Sequence, residues 1–245
     1  MLRSVDRPAR TWLTDDPGRV IPVLNPYLHA ALGEQHSAML RADSAAARQA
    51  RLARSGGRNR PVRLRDGSAV LINPVRSVDA PLLAEGFERL SAKSRLTRFL
   101  SPKKQLSARE LRYFTDIDHH DHEALGAISV EDGRGVGIAR YVRDTDDPQA
   151  AEIAVTIVDE WQGRGLGTLL LTQLTKRARQ EGICRFNALV ADGNEPVLAL
   201  LRRTSSELRP VRREPGAMFY HVIPLGEETA AADAEPAATA CSPAA

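Results

Sequence analysis

The sequence predicts a mixed α+β domain, a sheet with helices on its faces. Three observations carry that reading. Apolar residues alternate with period two in several short runs and recur at helical spacing in others. Glycine-rich turns punctuate the runs. The resulting order, β, α, α, β, β, β, α, β, α, β, β, fits into about 165 residues, which is one ordinary domain.

The core opens at Val62. Arg65-Asp66-Gly67-Ser68 reads as a hairpin turn between short strands, the second running from Ala69 to Val75. Asp79 to Leu90 places Leu82, Leu83, Phe87 and Leu90 at helical spacing. Ser107 with Glu110 three residues later is a capping box that opens a short helix through Phe114. Strands follow at Glu123 to Val130 and Val136 to Val142, joined by a glycine-rich hairpin turn that includes Gly133 and Gly135. A further strand spans Ala150 to Val158. The helix from Leu166 to about Gln180 buries Leu166, Leu169, Leu170, Leu174 and Ala178, and Gly182 caps its end. A strand at Phe186 to Val190, a helix at Asn194 to Arg203 with Pro196 in its first turn, and strands near Leu208 to Arg212 and Ala217 to Ile223 close the domain.

Around this core, residues 1–60 read as an N-terminal extension, helical in part or disordered, with a linker at Ser55 to Pro61. Residues 61–225 form the domain. Residues 226–245 are an acidic Ala/Pro tail without the apolar content to order itself. Net charge is +3, but ten arginines face five acids in the first sixty residues while the last twenty hold four acids and no base. The domain between is near neutral, which argues against a nucleic-acid footprint. No apolar stretch is long enough for a membrane span and the start lacks a signal peptide's apolar core, so a cytoplasmic protein is expected. Cys184 and Cys241 make neither a disulfide framework nor a zinc spacing; Cys184 reads as a buried small apolar residue.

The chemistry concentrates in Gln162-Gly163-Arg164-Gly165-Leu166-Gly167, between a strand and a helix. Glycines let the backbone turn tightly and leave its N–H groups uncovered. With a helix N-terminus behind them, such groups make a site for phosphate oxygens, to which Arg164 adds charge; a diphosphate is the natural ligand. A dinucleotide fingerprint would need glycine at 168 or 170, where Thr168 and Leu170 stand, and no Gly-Lys-Ser/Thr is present for a Walker loop.

Gln162-x-x-Gly165-x-Gly167 after the apolar run Ala151-Glu152-Ile153-Ala154-Val155 resembles motif A of the GNAT acetyltransferase superfamily. Arg95 to Pro102 and Phe114 to Asp118 further resemble the acetyltransferase domain of bacterial Pat-type protein lysine acetyltransferases. The similarity covers about residues 62–224. It implies a GNAT fold: a mostly antiparallel twisted sheet, helices on both faces, central strands splayed apart. It implies acetyl-CoA as co-substrate and no metal. The backbone of Val155, Thr156 and Ile157 would pair with the pantetheine arm. The N–H groups of Gln162, Gly163, Arg164, Gly165, Leu166, Gly167 and Thr168 would hold the pyrophosphate. Asn194 stands where many relatives turn an Asn toward the cofactor, and equally where a helix needs an N-cap. The implied acceptor is a protein lysine, with a small amine as the alternative and a non-catalytic acyl-CoA-binding module as a third reading.

Acetylating an amine requires a base, because an ammonium of pKa about 10.4 arrives protonated. Strand alternation puts Glu152, Ala154 and Thr156 on one face and the wholly apolar Ala151, Ile153, Val155 and Ile157 on the other. Glu152 therefore faces the cleft, and an apolar surrounding would lift its pKa toward neutrality. It is the candidate base; the alternative is a solvent-facing carboxylate at a strand start. Where many relatives carry a Tyr that protonates the leaving thiolate, this chain has Leu201. The cluster Asp118-His119-His120-Asp121-His122 is open to three readings: metal site, cleft-lining residues, or polar loop. Tyr113 and Phe114 read as core-facing.

Overall fold

The computed structural model describes residues 60–225. The expected N-terminal helical arm and acidic tail lie outside the described residues. Thirteen elements, named here in chain order, make up the described fold: β1 (Val62–Arg63), β2 (Ala69–Pro74), α1 (Ala80–Glu88), α2 (Ala92–Phe99), α3 (Ala108–Thr115), β3 (His122–Ser129), β4 (Gly135–Arg143), β5 (Ala150–Ile157), α4 (Leu166–Gln180), β6 (Arg185–Ala191), α5 (Glu195–Thr204), β7 (Ser205–Glu214) and β8 (Ala217–Pro224).

The eight strands form one sheet in the order β1-β2-β3-β4-β5-β6-β8-β7. Every neighbouring pair is antiparallel except β5 with β6. That parallel pair is joined by α4 as the crossover, the connection parallel strands require. β7 lies at the sheet's edge and pairs only with β8, so it stays exposed and polar and tolerates Pro210. It is longer than the sequence predicts because its register comes from β8, not from an apolar pattern of its own.

One sheet face packs on α4 and α5. Leu166, Leu170, Leu171, Leu174 and Ala178 of α4 are buried with Ala139, Tyr141, Ala151, Ile153 and Leu201 in the main core. The expected stripe is present, with Leu171 fully buried and Leu169 only packed against the core. Each large aliphatic side chain buried there contributes about 1.5–3 kcal/mol. Gly137 sits beneath this packing; a Cβ at that position would meet Ile157 Cδ1 at 2.7 Å. The buried Glu123 carboxylate on β3 is held by Arg177 Nε of α4 at 3.3 Å, by His119 Nδ1 at 2.8 Å and by the Ala124 N–H. A buried carboxylate is tolerable only with such partners.

The opposite face carries α1, α2 and α3. α1 buries Leu82 and Phe87, and α3 begins with the expected capping box between Ser107 and Glu110. α2 was not expected from periodicity. It has no fully buried residue, and its sequence is dominated by Lys93, Arg95 and Arg98. Its one local signal is Ser91, whose side chain accepts from the Ser94 N–H as an N-cap.

Candidate active site

β5 and β6 pair only from Ala150 to Glu152, opposite Arg185 to Asn187. Beyond Glu152 the two strands part, and Ile153 to Ile157 have a strand partner on the β4 side alone. The parting leaves one edge of Val155, Thr156 and Ile157 without a ladder, which is where the sequence reading expects the backbone to be available.

The split ends at the turn into α4. Gly163 and Gly165 have φ of 76° and 91°, values that β-carbon-bearing residues rarely adopt, so glycine is required at both. The Gln162 N–H donates to Asp159 O at 3.2 Å and its side chain donates to Ile157 O at 3.1 Å, so Gln162 shapes the turn and does not offer a free amide. The backbone N–H groups of Gly163, Arg164, Gly165, Leu166, Gly167 and Thr168 have no acceptor among the described residues; the first to find one is Leu169, bonded to Gly165 O at 3.1 Å. Six consecutive uncovered donors at a helix N-terminus form an arrangement that can receive the oxygens of an anion.

Arg164 contributes differently from the sequence expectation. Its guanidinium donates to Glu160 O at 2.7 Å, pairs with Asp66 at 2.9 Å and stacks 4.8 Å from the Trp161 ring centre. It ties the turn to the β1–β2 hairpin and is not a free cation. The side chain beside the turn is instead Arg65, whose Nε would lie 3.5 Å from a Cβ on Gly165. Asn194 is the N-cap of α5 by position, yet its side chain makes no capping bond and has no hydrogen-bond partner among the described residues.

Glu152 lines a small pocket with Arg98, Tyr113, Arg140, Val142 and Ala154. The alternation read from the sequence holds: Ala151 and Ile153 are in the core, with Val155 and Ile157 packed against it, while Glu152 points to the opposite face. Burial raises its pKa to about 7, against a smaller lowering by the Arg98 guanidinium. A carboxyl that is half ionised near neutrality is suited to exchanging protons there.

Arg98 and Arg140 reach this pocket from α2 and β4. Arg98 Nε donates to Thr156 Oγ1 at 3.1 Å. Arg140 Nη2 donates to Phe114 O at 2.8 Å, its guanidinium lies 4.4 Å from the Phe114 ring centre, and burial lowers its pKa to about 9. The Tyr113 hydroxyl is buried without a hydrogen-bond partner, and desolvation raises its pKa, so it is a neutral donor. Tyr113 thus faces the Glu152 pocket and not the core. The missed signal was the helical offset from the capping box, which places Leu111 and Thr115 inward and leaves Tyr113 on the flank. Asn187, opposite Glu152 at the last rung before the split, has a buried Oδ1 with no partner, and nothing in the sequence singled it out.

The histidine cluster divides. His119 is bonded to Glu123, and His120 to Glu181. His122 stacks on Tyr113 at 5.3 Å and faces Arg140 Nη1 at 3.3 Å; burial lowers its pKa to about 4, with Arg140 the next cause. Among the described residues no group of His, Cys, Asp and Glu is arranged to hold a metal ion. Cys184 precedes β6 and is half-buried, less enclosed than the sequence reading expects, with its Sγ 3.6 Å from Gly182 O. Leu201 is buried in the core, so that position supplies no group to the split. No helix among the described residues is long and apolar enough to cross a membrane.

Comparison with known proteins bears on this arrangement. Residues 92–205 match the family model described as the acetyltransferase (GNAT) family. The chain is 38% identical to acetyltransferase PA5475 of Pseudomonas aeruginosa over 133 residues, covering 54% of this chain and 71% of that protein. It is 32% identical to acetyltransferase Pat of Mycolicibacterium smegmatis over 162 residues, 66% of this chain and 48% of the relative, so it spans about half of that protein's length. Among solved structures, the GNAT domain of S. lividans PAT superposes with a TM-score of 0.62 at 29% identity, covering 67% of this chain and 96% of that one.

Proposed function

Because the chain belongs to the acetyltransferase (GNAT) family and is by that membership an N-acetyltransferase, we propose that it uses acetyl-CoA to acetylate a primary amine, with Glu152 as general base. The acceptor in this reading is a protein lysine, supported by the likeness to Pat and to the GNAT domain of S. lividans PAT. The observation that carries the proposal is the conjunction at β5: six uncovered amides at one end of the split and a carboxyl of raised pKa at the other.

In this reading the N–H groups of Gly163 to Thr168 take the diphosphate of acetyl-CoA, helped by the α4 dipole. The open edge of Val155, Thr156 and Ile157 aligns the pantetheine arm, with Asn194 beside it. The bound thioester supplies the acetyl group. Glu152 accepts a proton from the acceptor ammonium, directly or through water, and leaves a nitrogen lone pair free to attack the carbonyl carbon; the C–S bond then breaks, CoA leaves as its thiolate, and the second proton lost by nitrogen passes to that thiolate through water. In this reading a backbone N–H of β5 donates to the developing oxyanion. Residues 61–225 are the unit proposed to do this.

Titration calorimetry with acetyl-CoA, followed by incubation of the protein with radiolabelled acetyl-CoA in a lysate, tests the reading. Label in protein bands supports the lysine acceptor; label confined to small molecules makes the acceptor a small amine. A second reading, acyl-CoA binding without turnover, is favoured by the burial of Leu201 where many relatives carry a Tyr. It predicts binding without any labelled product.

A further inference from the structure

The sheet face that carries Glu152 continues into a larger, mainly apolar cavity, which shares Thr156 with the strand edge proposed for the pantetheine arm. Register fixes the order of side chains along this face. Glu152 stands opposite Val142, Ala154 opposite Arg140, and Thr156 opposite Ile138. The first pair lines the small pocket and the third lines the large cavity, whose other walls include Leu82, Leu83, Phe87 and Phe99. Arg98 and Arg140 line both. Two guanidiniums therefore stand between the candidate base and an apolar chamber.

Their donors are not all used. A guanidinium offers five N–H groups. Arg140 directs Nη2 to Phe114 O and Nη1 to His122. Arg98 uses Nε on Thr156, while its Nη1 and Nη2 have no acceptor among the described residues. The small pocket holds these two guanidiniums and one carboxyl, Glu152; the large cavity is also lined by Asp79, whose carboxylate accepts from the Arg76 N–H at 2.7 Å. His122 adds no charge at neutral pH. Unspent cationic donors at the mouth of an apolar chamber favour an anion over water alone, since the desolvated charge gains most from a charged partner.

We propose that this cavity binds a small monocarboxylate with an aliphatic tail, the carboxylate on the terminal nitrogens of Arg98 and the tail among Leu82, Leu83, Phe87 and Phe99. The planar carboxylate matches the guanidinium fork, whereas an amine or alcohol head matches neither its charge nor its donors. The tail covers apolar walls that are partly exposed at Leu83 and Phe99. The site stands on its own geometry and does not depend on the transfer chemistry.

The test is titration calorimetry of the full chain with octanoate, octanol and octylamine as probes. The expected result is saturable one-to-one binding of octanoate, at least about tenfold tighter than octanol, with no binding of octylamine. Arg98→Met removes the preference for octanoate over octanol, and Arg98→Lys retains part of it. Leu83→Trp fills the chamber and weakens octanoate at least about tenfold. Circular dichroism melts establish that each variant is folded. Octanol binding as tightly as octanoate, octanoate unaffected by Arg98→Met, or no saturable octanoate binding in the millimolar range would each overturn the proposal.

Discussion

Arg98 of α2 donates from Nε to Thr156 Oγ1 of β5 at 3.1 Å, and this bond brings a guanidinium onto the strand that carries Glu152. The carboxyl and the guanidinium then act on each other: burial drives the Glu152 pKa up to about 7, and Arg98 restrains that rise. Consequences for activity and stability follow from this and from the geometry of the split.

Glu152→Gln removes the proton acceptor and keeps the shape. Turnover is expected to fall at least about 100-fold, with acetyl-CoA affinity changed little. Steady-state kinetics beside calorimetry separates the two quantities. Retained turnover would assign the base elsewhere.

The pH dependence has a definite sign. A base acts when deprotonated, so kcat/KM for the amine is expected to rise through about pH 7 as Glu152 ionises. Arg98→Met removes a cation that favours the ionised form and shifts this inflection upward. The same group affects stability. Its folded pKa is raised above the ordinary 4.5, so the folded state holds the proton more tightly and stability is lost as pH rises through about 7. Glu152→Gln is therefore expected to raise the melting temperature at pH 8 and to leave it nearly unchanged near pH 4. Melting curves across that range would show the opposite trend if the carboxylate were stabilised by partners.

Tyr113→Phe tests whether the unpartnered phenol is a structural burden or a contact for substrate. A buried hydroxyl without a partner costs about 1–3 kcal/mol, so the Phe variant is expected to melt at the same temperature or higher. A drop of about tenfold in kcat/KM for the amine with unchanged acetyl-CoA affinity is expected alongside, because the hydroxyl faces the Glu152 pocket. A lower melting temperature with unchanged kinetics would make Tyr113 a packing residue only.

Two glycine substitutions are expected to fail for different reasons. Gly165→Ala, at φ 91°, must hold a left-handed backbone beside Arg65, which distorts the turn, and calorimetry is expected to show acetyl-CoA affinity reduced at least about tenfold. The added methyl points toward Arg65 and not into the anion site, so the loss comes through backbone shape. Gly137→Ala puts a Cβ 2.7 Å from Ile157 Cδ1 and is expected to cost about 1–3 kcal/mol in denaturant unfolding, with affinity affected less.

How much of this was legible in the sequence depends on the range of the signal. The strands, the α4 stripe, the capping box at Ser107 and the glycine turn at 163–165 are local patterns, each declared within a few residues. The face on which Glu152 lies follows from strand alternation alone. α2 was missed because an exposed, basic helix has no apolar period to declare it. The side-chain contacts of Arg164 are not legible in the sequence, because charge does not specify direction; only the folded hairpin brings Asp66 within 2.9 Å.

The sequence by itself determined the type of every element except α2, the candidate base and the position of the glycine turn, since these depend on local backbone conformation and period. The tertiary structure alone decided what surrounds Glu152. Arg98, Tyr113 and Arg140 come from three separate elements, and their burial, unspent donors and mutual field arise only when α2 and α3 close over β4 and β5. Electrostatic environment depends on distance through space and on exclusion of water, and neither is encoded in the spacing of residues along the chain.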